Sequence, residues 1–233
     1  MTDPTHLRAA PDLAPDAAGD EDLRAADGRV PGRRGRATRT RLLACTRDML
    51  TTTSYRDVKV IDIAREAGTS PATFYQYFGD VEAAILVLAE EMAQQGEHLT
   101  GIITRGSWKG RSAFDTALAL VDAFLGFWDE NRPVLRVMDL ATDEGDRRFQ
   151  KIRVHLLNDI TNALADVARG AQADGRLPTG LDPMASAGIL VAMLAHTAAH
   201  QYGFEFWGIR TAALRDSMAR QVSWGVTGIK PPG

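Results

Sequence analysis

A chain of 233 residues, 45% hydrophobic and 24% charged, has the make-up of an ordinary soluble globular protein of one large or two small domains. Its single cysteine, Cys45, excludes an intrachain disulfide framework, and its longest apolar run, Ala187–Ala195, is far short of the roughly 20 residues that span a membrane. The net charge of −3 argues against a polyanionic partner for the chain as a whole, but residues 29–81 alone hold ten Lys/Arg against five Asp/Glu. A localised positive segment of this kind is what a polyanion site requires.

Residues 1–28, rich in Asp, Ala and Pro and without aromatics, carry seven acids and two arginines. Such a stretch cannot bury enough apolar surface to offset the entropy of ordering, and a disordered acidic tail is expected. The first residues are polar, without a basic-plus-apolar leader, so a cytoplasmic location is expected. Beyond the tail, Ala-rich stretches with Leu, Arg and Glu favour helix over sheet, and the fold class expected is all-α with about nine helices.

The segment "RVPGRRGRATRTR" has no acid and reads as a basic arm entering a helix from about Ala37. There Leu42, Leu43, Met49 and Leu50 share one apolar side with Cys45, which fits a small core residue. A second helix follows over Val60–Ala67, with Val60, Ile63, Ala64 and Ala67 at i, i+3, i+4, i+7. Gly68 is placed to leave that helix with positive φ. Ser70 is a good N-cap and Pro71 suits the first helical position, so a short helix over Ala72–Phe78 begins sharply. Asp80 caps a longer helix from Val81 to about Gly96.

From about Leu99 the pattern changes, and "TRGSWKGRS" reads as a loop. A helix apolar on two sides is expected from about Ser112 to Asp129, a break at Asn131-Arg132-Pro133, and a shorter helix over Val134–Leu140. A long helix from about Asp146 to Ala173 and two more, near 183–202 and 211–227, complete the chain.

Two short helices joined by a Gly-containing turn, the second strongly capped, make a helix-turn-helix. Phe74 and Phe78 are placed to bury, which leaves Thr73, Tyr75, Gln76 and Tyr77 outward. On a soluble protein such aromatics lack purpose, whereas in a major groove they meet phosphates and base edges.

At this point "VKVIDIAREAGTSPATFYQYFGDVEAAI" resembles the DNA-binding signature of the tetracycline-repressor (TetR) family of bacterial regulators. The matches are Ile63-Ala64, Ala67-Gly68, Ser70-Pro71, Thr73-Phe74-Tyr75, Tyr77-Phe78 and Glu82-Ala83. The resemblance implies a homodimer with N-terminal DNA-binding domains (basic arm and helix-turn-helix, 29–81) and a C-terminal effector-binding and dimerisation domain (82–233). It also implies a repressor released from double-stranded operator DNA by a small molecule. Carried over by position, Ser70, Ala72, Thr73, Tyr75, Gln76 and Tyr77 would face DNA, joined by Arg36, Arg39 and Arg41 of the arm and by Lys59. The chain departs from the family at Lys59, where a capping Ser or Thr is usual, and at Val81, where a Lys is. The lost cap costs about 1 kcal/mol.

Within the C-terminal part, Trp108, Phe114, Phe124, Phe127, Trp128, Met138, Met193, Phe204 and Trp207 are available to line a cavity for a small apolar effector. His196 and His200 are one turn apart in "HTAAH", with Thr197 where a zinc-helix motif carries Glu and with no third ligand in view. A structural or ligand-facing role is expected for the pair, and no metal or cofactor. Small residues along the last two helices suit a helix-packed dimer interface, and a two-fold dimer implies a palindromic operator with half-sites roughly 34–36 Å apart. No G-x-S-x-G or G-x-G-x-x-G occurs, "GSWKGRS" has the wrong spacing for a P-loop, and no acid/base or nucleophile group assembles, so an enzyme is not expected.

Overall fold

The computed structural model describes residues 32–232, so the expected acidic tail and the start of the basic arm lie outside the described residues. Among the described residues the fold is all-helical. The elements are α1 (Arg33–Thr52), α2 (Val60–Glu66), α3 (Pro71–Tyr77), α4 (Val81–Gln95), α5 (Glu97–Arg105), α6 (Ser112–Asp143), α7 (Arg147–Ala173), α8 (Pro183–His200), a 3₁₀ turn (Gln201–Trp207) and α9 (Thr211–Thr227). No described helix is long and apolar enough to cross a membrane.

The starts of α3, α4, α7 and α8 carry side-chain caps. Asp80 Oδ1 accepts from the Ala83 amide at 2.7 Å, and Asp182 Oδ1 from the Ala185 amide at 2.9 Å with Pro183 next in line. Each bond satisfies an amide that the first turn would otherwise leave orphaned.

Three expectations are corrected. The basic arm turns helical earlier than Ala37, because α1 already begins at Arg33. The change of character near Leu99 is a helix of its own: α5 starts after Gly96 and buries Leu99 and Ile103, one turn apart. The proline break does not occur, since α6 runs unbroken for 32 residues with Pro133 inside it. An interior proline costs about 3 kcal/mol. Val134, Leu135, Val137 and Met138, immediately beyond it, are all buried, and each such side chain contributes about 1.5–3 kcal/mol. Packing outweighs the lost ladder bond, and Asn131 Nδ2 adds a bond of its own to the Phe127 carbonyl at 3.0 Å one turn earlier.

Helix α6 is the axis of the molecule. It packs against α7, α8 and α9 along most of its length and against α1, α4 and α5 elsewhere. The buried side chains form one cluster that runs from Leu42 on α1 to Val226 on α9, so the helix-turn-helix and the larger helical body share a core.

Candidate DNA-reading surface and effector core

Helices α2 and α3 meet through a tight turn. Gly68 takes φ +64°, a value L side chains disfavour, and the Thr69 amide bonds to the Ala64 carbonyl at 2.8 Å. Ser70 Oγ then accepts from the Thr73 amide at 3.2 Å and lies 3.0 Å from Thr73 Oγ1, with Pro71 opening the helix. Ala64 is fully buried where the helices approach.

The two faces of α3 separate as the spacing requires. Phe74 and Phe78 are buried with their rings 5.3 Å apart. Ser70, Ala72, Tyr75 and Gln76 are exposed, Tyr75 by 54%, while Thr73 and Tyr77 are half-buried. Tyr77 packs against the edge of the core beside Phe78, at 6.4 Å between rings. Lys59 is exposed at the N-cap of α2 and makes no side-chain cap bond, as its departure from Ser or Thr predicts.

The arginines of α1 divide. Arg36 and Arg41 are exposed. Arg39 is instead covered: its guanidinium carbon lies 5.6 Å from the Phe78 ring centroid, its side chain is 11% exposed, and Glu91 is 3.9 Å away. The expected phosphate contact from Arg39 therefore gives way to packing that ties α1 to the end of α3 and to α4.

In the body, Phe124 and Trp128 stack with centroids 4.6 Å apart and planes 10° from parallel, and the Phe127 ring meets Trp128 edge-on at 5.9 Å. All three are buried, as is Met138 nearly three turns on. The Trp128 indole N–H is buried with no acceptor among the described residues. Trp108 is half-buried and donates to the Ile103 carbonyl at 2.9 Å, Phe114 lies under the Arg220 guanidinium at 5.1 Å, and Met193 is half-buried on α8.

The remaining expected lining residues sit elsewhere. His196 and His200 are exposed on α8, their rings stacked 4.3 Å apart, with His200 Nδ1 2.9 Å from the His196 carbonyl. Phe204 is half-buried and Trp207 is 73% exposed on the 3₁₀ turn. The structure thus gathers Phe124, Phe127, Trp128 and Met138 inside, and leaves the two histidines and Trp207 on the outside. Among the described residues no three His, Cys, Asp or Glu side chains are grouped to hold a metal ion.

Contacts that the sequence did not disclose join the turn between α6 and α7 to the helix-turn-helix. Tyr55 Oη donates to Glu144 Oε2 at 3.2 Å, Arg56 pairs with the same carboxylate, and Arg148 donates to Glu82 Oε2 at 2.9 Å. Arg148 also bonds Asp146, the cap of α7, at 2.6 Å. That bond holds the Asp146 carboxyl below its ordinary pKa, and Asp146 and Glu82 together push the guanidinium up.

A capped helix-turn-helix carrying exposed polar and aromatic side chains, fused to a larger helical body, defines a DNA-binding regulator. The family model for the tetracyclin repressor-like C-terminal domain matches residues 99–233, and that for bacterial regulatory proteins of the tetR family matches residues 42–83. The chain belongs to the TetR family of transcriptional regulators.

Among solved structures, the fatty acid degradation regulator FadR of Bacillus halodurans superimposes with a TM-score of 0.63 at 14% identity, over 83% of this chain and 96% of that one. FadR of Bacillus subtilis, solved in complex with stearoyl-CoA, gives 0.60 at 18%, over 82% and 98%. The TetR-family repressor FadR of Thermus thermophilus, in complex with lauroyl-CoA, gives 0.52 at 16%, over 84% and 96%. At these identities the likeness is one of fold.

Proposed function

We propose that the protein is a transcriptional repressor that binds a palindromic operator as a homodimer in the cytoplasm and is released by a small apolar effector of the fatty-acyl class. The observation that carries the DNA reading is α3 itself. Its Phe74 and Phe78 are buried and its N-terminus is capped, so Ser70, Ala72, Thr73, Tyr75, Gln76 and Tyr77 are held on a rigid, short element. Lys59, Arg36 and Arg41 supply positive charge for phosphates beside it. A division into DNA-binding and effector domains is supported by two separate family matches, one ending at residue 83 and the other beginning at residue 99.

The effector reading draws on the Phe124, Phe127, Trp128 and Met138 cluster and on the acyl-CoA complexes of two proteins of the same fold. The unpaired Trp128 N–H fits an effector that brings an acceptor atom, such as a carbonyl oxygen, to an otherwise apolar wall. The homodimer is supported by the exposed Met184 and Ile189 on α8 and Trp224 on α9, where Ile189 is 71% exposed.

The test uses a duplex enriched by the protein from a random-sequence library. Fluorescence anisotropy should show specific binding that falls as stearoyl-CoA is added, over the range in which it raises the melting temperature. Stabilisation by stearoyl-CoA without loss of DNA binding would sink the release mechanism. No enrichment of any duplex would sink the DNA reading.

A further inference from the structure

The two ends of the helix-turn-helix are held by one turn of the helical body. Tyr55 and Arg56 lie on the connection before α2, and Glu82 lies in the first turn of α4 after α3. The reading helix α3, its turn and Lys59 lie between these points. Glu144, the C-cap of α6, takes the first point through the Tyr55 hydroxyl and the Arg56 guanidinium. Arg148, in the first turn of α7, takes the second through Glu82 at 2.9 Å. Only four positions separate Glu144 from Arg148, and Gly145, with φ +91°, makes the turn between them.

The grip is built rather than incidental. Asp146 caps α7 through the Arg148 amide at 2.8 Å and also binds the Arg148 side chain, which aims the guanidinium before it meets Glu82. Arg56 lies over the Tyr55 ring at 5.4 Å, so both donors to Glu144 are mutually placed. The turn is rigidly continuous with the aromatic cluster, because Phe124, Trp128 and Glu144 belong to one helix and its cap.

The geometry points to Glu144 and Arg148 as positioning residues for DNA recognition: a two-point clasp on the α6–α7 turn that fixes the angle at which the body presents α3. Apolar packing of α1 and α4 on α6 keeps the domains together, so the clasp sets orientation and not attachment. The charged partners are exposed by 44–56%. Such pairs are individually weak and screened by salt, which makes the orientation adjustable. The inference rests on α3 as the reading helix and requires no effector.

The experiment neutralises the clasp from the body side, with Glu144→Gln and Arg148→Gln. Removing a negative charge near the DNA-binding domain should by simple electrostatics tighten binding to a polyanion, whereas loss of the clasp should weaken it. We expect each variant to bind the enriched duplex about three- to ten-fold less tightly at 0.1 M salt, with an unchanged melting temperature. In parallel, spin labels at Glu66→Cys and Asp159→Cys in a Cys45→Ala background, diluted with unlabelled chain, report the distance between the helix-turn-helix and the body. That distance should be narrow in the otherwise wild-type protein, broaden in both variants, and narrow again in the charge-swapped pair Arg56→Glu with Glu144→Arg. An unchanged distribution overturns the proposal, as does tight or tighter DNA binding by Glu144→Gln. A wild-type chain that enriches no duplex sinks the DNA reading instead, and the distance comparison then decides the clasp alone.

Discussion

Arg39 and Phe78 are stacked: the guanidinium carbon stands 5.6 Å from the ring centroid, over the last aromatic of the reading helix's buried face. An arginine held this way serves by its flat cation and its aliphatic stem, both of which pack. The positive segment of the sequence is therefore not uniformly a DNA surface. Arg39→Ala should lower stability by about 1–2 kcal/mol through lost packing, read as a fall in thermal midpoint. Arg36→Ala and Arg41→Ala, both exposed, should leave the midpoint within a degree or two and reduce the salt dependence of DNA affinity by about one phosphate contact each. An Arg39→Ala variant that keeps its midpoint but loses the salt slope would restore it to the DNA surface.

The two tyrosines of α3 differ more than their spacing alone indicates. Tyr75 is 54% exposed, and its ring meets that of Phe74 edge-on at 5.9 Å. Tyr77 is half-buried against the core. Tyr75→Ala should reduce operator affinity by at least ten-fold with a melting shift close to zero, since exposed substitutions usually fall within about 0.5 kcal/mol. Tyr77→Ala should cost affinity and also about 1–2 kcal/mol of stability. Circular dichroism melts alongside anisotropy separate the two.

Much of this arrangement was legible because it is local. The cap at Ser70, the turn at Gly68 and the burial of Phe74 and Phe78 depend on neighbours within a few positions, and the structure has all of them where the spacing puts them. The uncapped start at Lys59 was legible for the same reason. What failed were judgements that weigh local preference against tertiary packing. The ring of Pro133 opposes a helix and so predicts a break, and the buried side chains after it decide otherwise. α5 was missed because Gly96 and Gly101 obscure a two-residue apolar face. The clasp was invisible, since Tyr55 and Glu144 are 89 positions apart and Arg148 and Glu82 are 66 apart.

Two glycines with similar backbone angles should respond differently to alanine. Gly68 at φ +64° has nothing within 4 Å of the place a Cβ would occupy, so Gly68→Ala pays only the left-handed conformation, about 1–2 kcal/mol. Gly228 at φ +67° closes α9, and a Cβ there would run into the backbone carbonyl of Arg176. Gly228→Ala must also displace the Arg176–Leu177 backbone and should lose at least about 3 kcal/mol. Chemical denaturation of both variants tests the difference; equal losses would mean that the loop before α8 yields without resistance.

Pro133 gives the sharpest test of the central helix. Its missing N–H leaves the Asp129 carbonyl without the usual partner four residues on, and Asp129 is exposed, so water can take that bond. Alanine at this position restores the donor, removes the ring's crowding and raises helix propensity, against a small gain in unfolded-state entropy of about 0.4–1 kcal/mol. Because the buried Val134, Leu135, Val137 and Met138 already hold the helix in place, little rearrangement should be needed to collect that gain. Pro133→Ala should accordingly stabilise the protein by about 1–2 kcal/mol, seen as a higher denaturant midpoint with an unchanged slope. A loss of stability instead would show that the packing of α6 depends on the proline ring itself.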